Sequence, residues 1–158
     1  FDHGIDLVHP PFWYIAWGLG LGVTHAAGMQ VGLLCWLVGA GYVAGRLIEA
    51  AFHQLGHCGM FSWRPFDAWF RLVTARRNPC LIILTLVTAA GRADLAFIGV
   101  VGWTLASSAI AFLRLLYAAG VRWRSGQPLD SWLKDGERAG REHPLAWRTF
   151  SATRGAYR

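Results

Sequence analysis

Charge is scarce in this chain. Asp, Glu, Lys and Arg make up 15% of its 158 residues, whereas 54% are hydrophobic. That balance argues against an ordinary soluble domain, in which about a quarter of residues are charged. Acids are scarcer still: 9 Asp and Glu stand against 15 Lys and Arg, for a formal net charge of +6. The basic residues lie beside apolar runs, so the excess points to anionic lipid, not to nucleic acid. Cysteine is nearly absent. Cys35, Cys58 and Cys80 are odd in number and show no CxxC spacing, which argues against a disulfide framework. Cys35 and Cys80 read as packing residues within membrane segments. There is no glycine-rich phosphate loop, Ser/His/Asp arrangement, internal repeat or low-complexity tract. An initiating methionine is also lacking. The chain opens at Phe1 inside what reads as a helix, so it is expected to be the C-terminal part of a longer protein rather than the product of signal-peptide cleavage.

What is present is glycine, tryptophan and long apolar runs. The 19 glycines suit close helix contacts in a bilayer, and the 9 tryptophans suit the headgroup level. Four spans are predicted. The first covers about residues 4–23, with Pro10-Pro11 expected to kink or restart it. The second runs from about Ala26 to Ala44, following a short turn at Thr24, His25 and Gly28. Its nineteen residues cover roughly 29 Å at a helical rise. The helix is expected to continue, placing Arg46, Glu49, His53 and His57 on one face until Gly56 and Gly59 stop it. Aromatic residues and arginines alternate from Phe61 to Asn78, as in a helix lying in the interface plane. The third span, Cys80 to Ala90, is short for a full crossing. After a Gly91-Arg92-Ala93-Asp94 turn comes the fourth, about Leu95 to Ala119. Its Gly99, Gly102, Ser107 and Ser108 permit close helix contact, and Arg114 is expected to snorkel or face a polar cavity. Pro128 to Glu142 reads as a short surface helix, and the stretch to Arg158 as weakly ordered. The predicted division is a membrane domain at 1–120 and a basic cytoplasmic tail at 121–158.

Four spans put residues 24–28 and 91–94 on one side of the membrane and residues 1–3, 45–79 and 120–158 on the other. Of the 15 Lys and Arg, Arg92 falls on the first side and Arg114 within a span, leaving 13 on the second. The positive-inside rule makes that second side cytoplasmic. Asp2, Asp6, the Arg46–His57 stripe and the basic aromatic segment are then expected at one boundary.

Asp2 and Asp6 are spaced i and i+4, which on a helix puts both carboxylates on one face. Carboxylates at a membrane boundary are costly to desolvate and suit a cation or a proton. Their simplest structural role is as helix N-terminal acids favoured by the macrodipole. Asp2 and Asp6, followed at once by an apolar helix, resemble the tail of the CDP-alcohol phosphatidyltransferase signature. That signature runs D-x-x-D-G-x-x-A-R, about eight residues, then G-x-x-x-D-x-x-x-D. The likeness covers the whole chain in layout but only these two residues in motif, the earlier half lying upstream of Phe1. It implies an all-α integral membrane bundle, the four spans being helices three to six of a six-helix fold. It further implies transfer of a phosphatidyl or similar phospho-group from a CDP-linked lipid or alcohol to a small hydroxyl acceptor. CMP would be released, Mg²⁺ (or Mn²⁺) would be required, and the protein would be a homodimer. Asp2 would match a metal ligand, and Asp6 a metal-site residue and the general base. This fragment alone would be inactive. A compact chain with these features suits a bacterial inner membrane.

Other groups carry weaker patterns. Arg46, Glu49, Arg76, Arg77 and Arg114 are candidate substrate contacts, guanidinium being suited to phosphate; Arg64 and Arg71 share that chemistry, and headgroup anchoring explains the arginines between the spans equally well. His53 and His57 at i, i+4 behind Glu49 could share a metal, and His25 or His9 could join a bis-His haem. A non-enzymatic haem- or metal-binding subunit using His25, His53 and His57 is therefore the alternative to the transferase. A polar face toward water explains the same histidines. The aromatic group Phe12, Trp13, Tyr14 and Trp17 reads as interfacial belt and packing surface.

Overall fold

The computed structural model describes residues 2–151, with side chains for 11–76 and 78–151. Among the described residues its regular structure is helical apart from one small hairpin and one isolated bridge. The elements are α1 (Asp2–Gly20), β1 (His25–Ala26), β2 (Met29–Gln30), α2 (Val31–His53), a 3-10 turn (Met60–Ser62), α3 (Pro65–Val73), α4 (Arg77–Ala89), α5 (Ala93–Ser125), α6 (Gly136–Glu142) and α7 (Pro144–Phe150). Among the described residues three stretches are long and apolar enough to cross a membrane: Val31–His53, Pro65–Ala89 and Ala93–Ser125. Backbone contacts group the chain into two compact units. One is Phe1–Leu47 with Thr74–Ala111, the other Ile48–Val73 with Phe112–Arg158.

The first unit is built on periodic apolar positions. Val31, Leu34, Cys35 and Val38 fall at i, i+3, i+4 and i+7 of α2 and are buried. They join Tyr14, Cys80, Leu84, Ala96, Phe97, Val100 and Val101 in one core. Leu33, Trp36 and Val43 on α2, and Ile82 and Leu86 on α4, remain exposed, as expected of surfaces that face lipid. Hydrocarbon gives helices little hydrophobic reason to associate, so packing and interhelical hydrogen bonds matter more. Ser108 Oγ donates to the Gly41 carbonyl (2.7 Å), and Ser107 Oγ accepts from the Ala75 amide (3.0 Å). Of the small residues expected to allow close approach, Gly99 does so: a Cβ there would lie 3.1 Å from Ile83 Cγ2. Gly102 does not, having nothing within 4 Å.

Several local expectations change. The helix is not restarted at Pro10-Pro11; α1 runs unbroken through both. The turn before α2 is a hairpin, with His25 paired to Gln30 and Ala26 to Met29. Ala27 (φ 46°) and Gly28 (φ 82°) both take positive φ, as a two-residue type I′ turn requires. Helix α2 therefore starts at Val31, later than Ala26. Helix α4 ends in a Schellman motif: Arg92 N–H bonds the Val87 carbonyl (3.1 Å) and Gly91 N–H the Thr88 carbonyl (2.8 Å), Gly91 having φ 78°.

In the second unit, His57 does not continue the α2 face. The helix stops at His53, and Gly56 forms a parallel bridge with Leu129. The His57 amide bonds Leu129 O (2.8 Å) and the Leu129 amide bonds Leu55 O (3.3 Å), so the backbone has turned into an extended pairing. A Cβ on Gly56 would run into the Leu129 backbone, which is why glycine stands there. The predicted helix from Pro128 to Glu142 is confined to α6, with Asp135 capping it by accepting from Arg138 N–H (3.1 Å). Beyond it the chain is ordered through α7, where weak order was expected. Pro144 suits the first turn of a helix, and α7 packs Ala146 and Phe150 against Ala68 of α3.

Candidate functional site

Asp2 and Asp6 fall on one continuous helix, α1. Their side chains, and those of His9 and Arg77, lie outside the described residues. Arg46 is half-buried on α2, its guanidinium 5.7 Å from the Tyr42 ring centre, and Glu49 follows one turn later, also half-buried. Arg76 is the N-cap of α4, in an extended conformation. Arg46 and Glu49 thus share a helix by their spacing, and Arg76 stands at the entry to another.

Arg114 is paired within the protein. Its Nε and Nη2 donate to Asp67 Oδ1 and Oδ2 at 2.6 and 2.7 Å. Asp67 on α3 is 0% exposed and Arg114 on α5 is 17% exposed. The fork geometry gives two charge-assisted bonds to one carboxylate. Three rings complete the surround: the guanidinium carbon lies 4.9 Å from Trp63, 5.3 Å from Phe66 and 5.4 Å from Tyr117. Asp67 was missed as a partner although the sequence carries a signal for it. It is the only acid between Glu49 and Asp94, and Arg114 is the only charged residue from Leu95 to Val121. Two lone opposite charges in apolar surroundings are strongly driven to meet. Among the candidate substrate contacts, Arg114 is thus held by a carboxylate of its own chain.

His25 is exposed in the hairpin, within 3.1 Å of Thr24 Oγ1, and His53 and His57 are exposed at and beyond the end of α2. Among the described residues no three His, Cys, Asp or Glu gather as a metal site. Cys35, Cys58 and Cys80 are buried thiols. The Cys58 thiol is pushed up to about 11, chiefly by burial and further by the negative Asp130 and Asp67. The neighbouring Lys134 ammonium, 2.7 Å from Asp130, holds that carboxyl below its ordinary range.

Arg64 is exposed and stacks on the same two rings as Arg114, 4.8 Å from Trp63 and 5.4 Å from Tyr117. Trp63 is buried between Phe52 (5.7 Å) and Tyr117 (5.6 Å). Two guanidinium groups therefore share one aromatic surface, and only Arg114 is neutralised by Asp67.

Compared with family models, curated proteins and solved structures, the chain matches none.

Proposed function

We propose that this chain belongs to a membrane enzyme that transfers a phosphatidyl or related phospho-group from a CDP-linked lipid or alcohol to a small hydroxyl acceptor. The observation that carries the reading is the placement of Asp2 and Asp6 one turn apart on α1, immediately ahead of an apolar run. Helices long and apolar enough to cross a bilayer support a membrane setting for it. Four crossings, with the Asp2–Asp6 end and the basic segments in the cytoplasm, complete the arrangement.

The donor set fits a hard cation, since carboxylate oxygens are what Mg²⁺ or Mn²⁺ takes. Bound there, the ion supplies charge neutralisation for the diphosphate of the donor. Asp2 would hold the ion. Asp6 would share that role and accept the proton of the acceptor hydroxyl. As that O–H bond breaks, the acceptor oxygen forms a new bond to the lipid-bearing phosphorus. The P–O bond to CMP breaks, and CMP leaves with the bonding electrons. Placing these carboxylates at the aqueous boundary lets the acyl chains stay in the bilayer while the nucleotide approaches from water.

The test is CMP release by the full-length protein in detergent or nanodiscs, supplied with CDP-diacylglycerol and a panel of hydroxyl acceptors. Release with at least one acceptor, abolished by chelation and restored by Mg²⁺, is expected. A folded protein that releases no CMP from any CDP-linked lipid or alcohol overturns the reading.

A further inference from the structure

The second compact unit carries a surface that phosphotransfer does not use. The Arg64 guanidinium has no hydrogen-bond or ion-pair partner among the described residues, yet it is not free to wander. The buried Trp63 ring and Tyr117 hold it by stacking, and Arg114, bound to Asp67, fixes the same rings beside it. A stacked guanidinium keeps its in-plane N–H donors available and has lost much of its rotamer freedom already. It is a ready receptor for a phosphate oxygen pair.

Helix α3 begins at the next residue. Phe66, Trp69, Leu72 and Val73 are 43–56% exposed and fall within a sector of about 120° at 100° per residue. The opposite side holds the buried Asp67, Ala68 and Phe70. Four large apolar side chains on one face of a nine-residue helix mark an interaction surface. Charge identifies the occupant. The exposed Arg64 stands one residue ahead of this helix, and the one acid of α3, Asp67, is already neutralised by Arg114. A second copy of this chain would bring the same positive sign to the contact, whereas an anionic lipid complements both its charge and its apolar side.

We infer that α3 and Arg64 form a binding site for an anionic phospholipid of the adjoining leaflet. The lipid phosphate is held by Arg64, and its chains lie along Phe66, Trp69 and Val73. The site is independent of Asp2 and Asp6, so it stands or falls apart from the transferase reading.

The full chain would be placed in nanodiscs of phosphatidylglycerol and phosphatidylcholine, with brominated acyl chains on one lipid at a time. Quenching at position 69 is read as the difference between the parent and Trp69→Phe. Brominated phosphatidylglycerol is expected to quench Trp69 more strongly than brominated phosphatidylcholine at equal mole fraction. In Arg64→Gln that preference should fall by up to about fivefold, the weight of one basic residue at an anionic surface, with the melting temperature unchanged. Arg64→Lys, which keeps the charge but loses planar stacking, should retain part of it. Equal quenching by the two lipids, a preference unaltered in Arg64→Gln, or no quenching of Trp69 by either lipid would each overturn the assignment. The last outcome would mean that protein covers α3.

Discussion

Asp67 and Arg114 show what one buried ion pair asks of its neighbours. Removing one partner strands the other charge in an apolar, aromatic surround, which typically costs about 3–5 kcal/mol. Asp67→Asn should therefore lower thermal stability in detergent far more than a change at an exposed acid such as Glu137, whose partner Arg141 is also exposed. Replacing both members with Asp67→Leu and Arg114→Leu should recover much of the loss, because no charge is left unpaired. Cys58 offers a second test at this scale. With its thiol pushed up to about 11, the reactive thiolate is a small minority at neutral pH and rises tenfold per pH unit up to that value. Maleimide labelling of Cys58 in the folded protein should be slow at pH 7 and accelerate steadily towards pH 10. Rapid labelling at pH 7 would contradict the buried, negatively surrounded placement. Legibility at this scale was uneven. The Arg114 charge was visible and its role was not, because the carboxylate that binds it lies 47 positions away, in a segment whose arginines and tryptophans drew attention to lipid instead.

The elements were most legible where composition is extreme. Helices α2 and α5 follow directly from long apolar runs; α2 continues past its span to His53, as expected, and α5 runs beyond the span drawn for it to Ser125. The hairpin was obscured because Ala27 stands where asparagine, aspartate or glycine would announce a type I′ turn. The truncation of the His53–His57 face was hidden for a different reason. It depends on Leu129, far along the chain, pairing with the backbone around Gly56, and helical spacing alone carries no sign of such a partner. Two glycine substitutions separate these effects. Gly56→Ala should sharply lower the melting temperature, since its Cβ meets rigid backbone at Leu129. Gly102→Ala should be neutral or stabilising by up to about 1 kcal/mol, because the site is open and alanine favours helix. Equal melting temperatures for the two variants would contradict the bridge. Helix α7 shows tertiary contact deciding order. Its seven residues are too few for an isolated helix, and the edge-on contact of Trp69 with Phe150 (5.1 Å) together with Ala68 holds them.

For the whole molecule, the apolar helices are the part of the account that sequence and structure share, whereas the chemistry rests on two carboxylates at one end of α1. The topology proposed for them has a direct check. An impermeant thiol reagent should label a cysteine introduced at His25 from outside the cell, and a reporter fused after Arg158 should register as cytoplasmic. Both results are expected if four crossings put 13 of the 15 basic residues on one side. If the two positions report the same side, the four-crossing arrangement fails. The measurement closest to the central claim is CMP release by full-length protein carrying Asp6→Asn, beside the parent and Asp2→Asn. The account predicts that Asp6→Asn lowers release by about 10²–10⁴-fold at an unchanged melting temperature, while Asp2→Asn raises the Mg²⁺ concentration needed for half-maximal rate. A folded Asp6→Asn protein that releases CMP at the parental rate would contradict it.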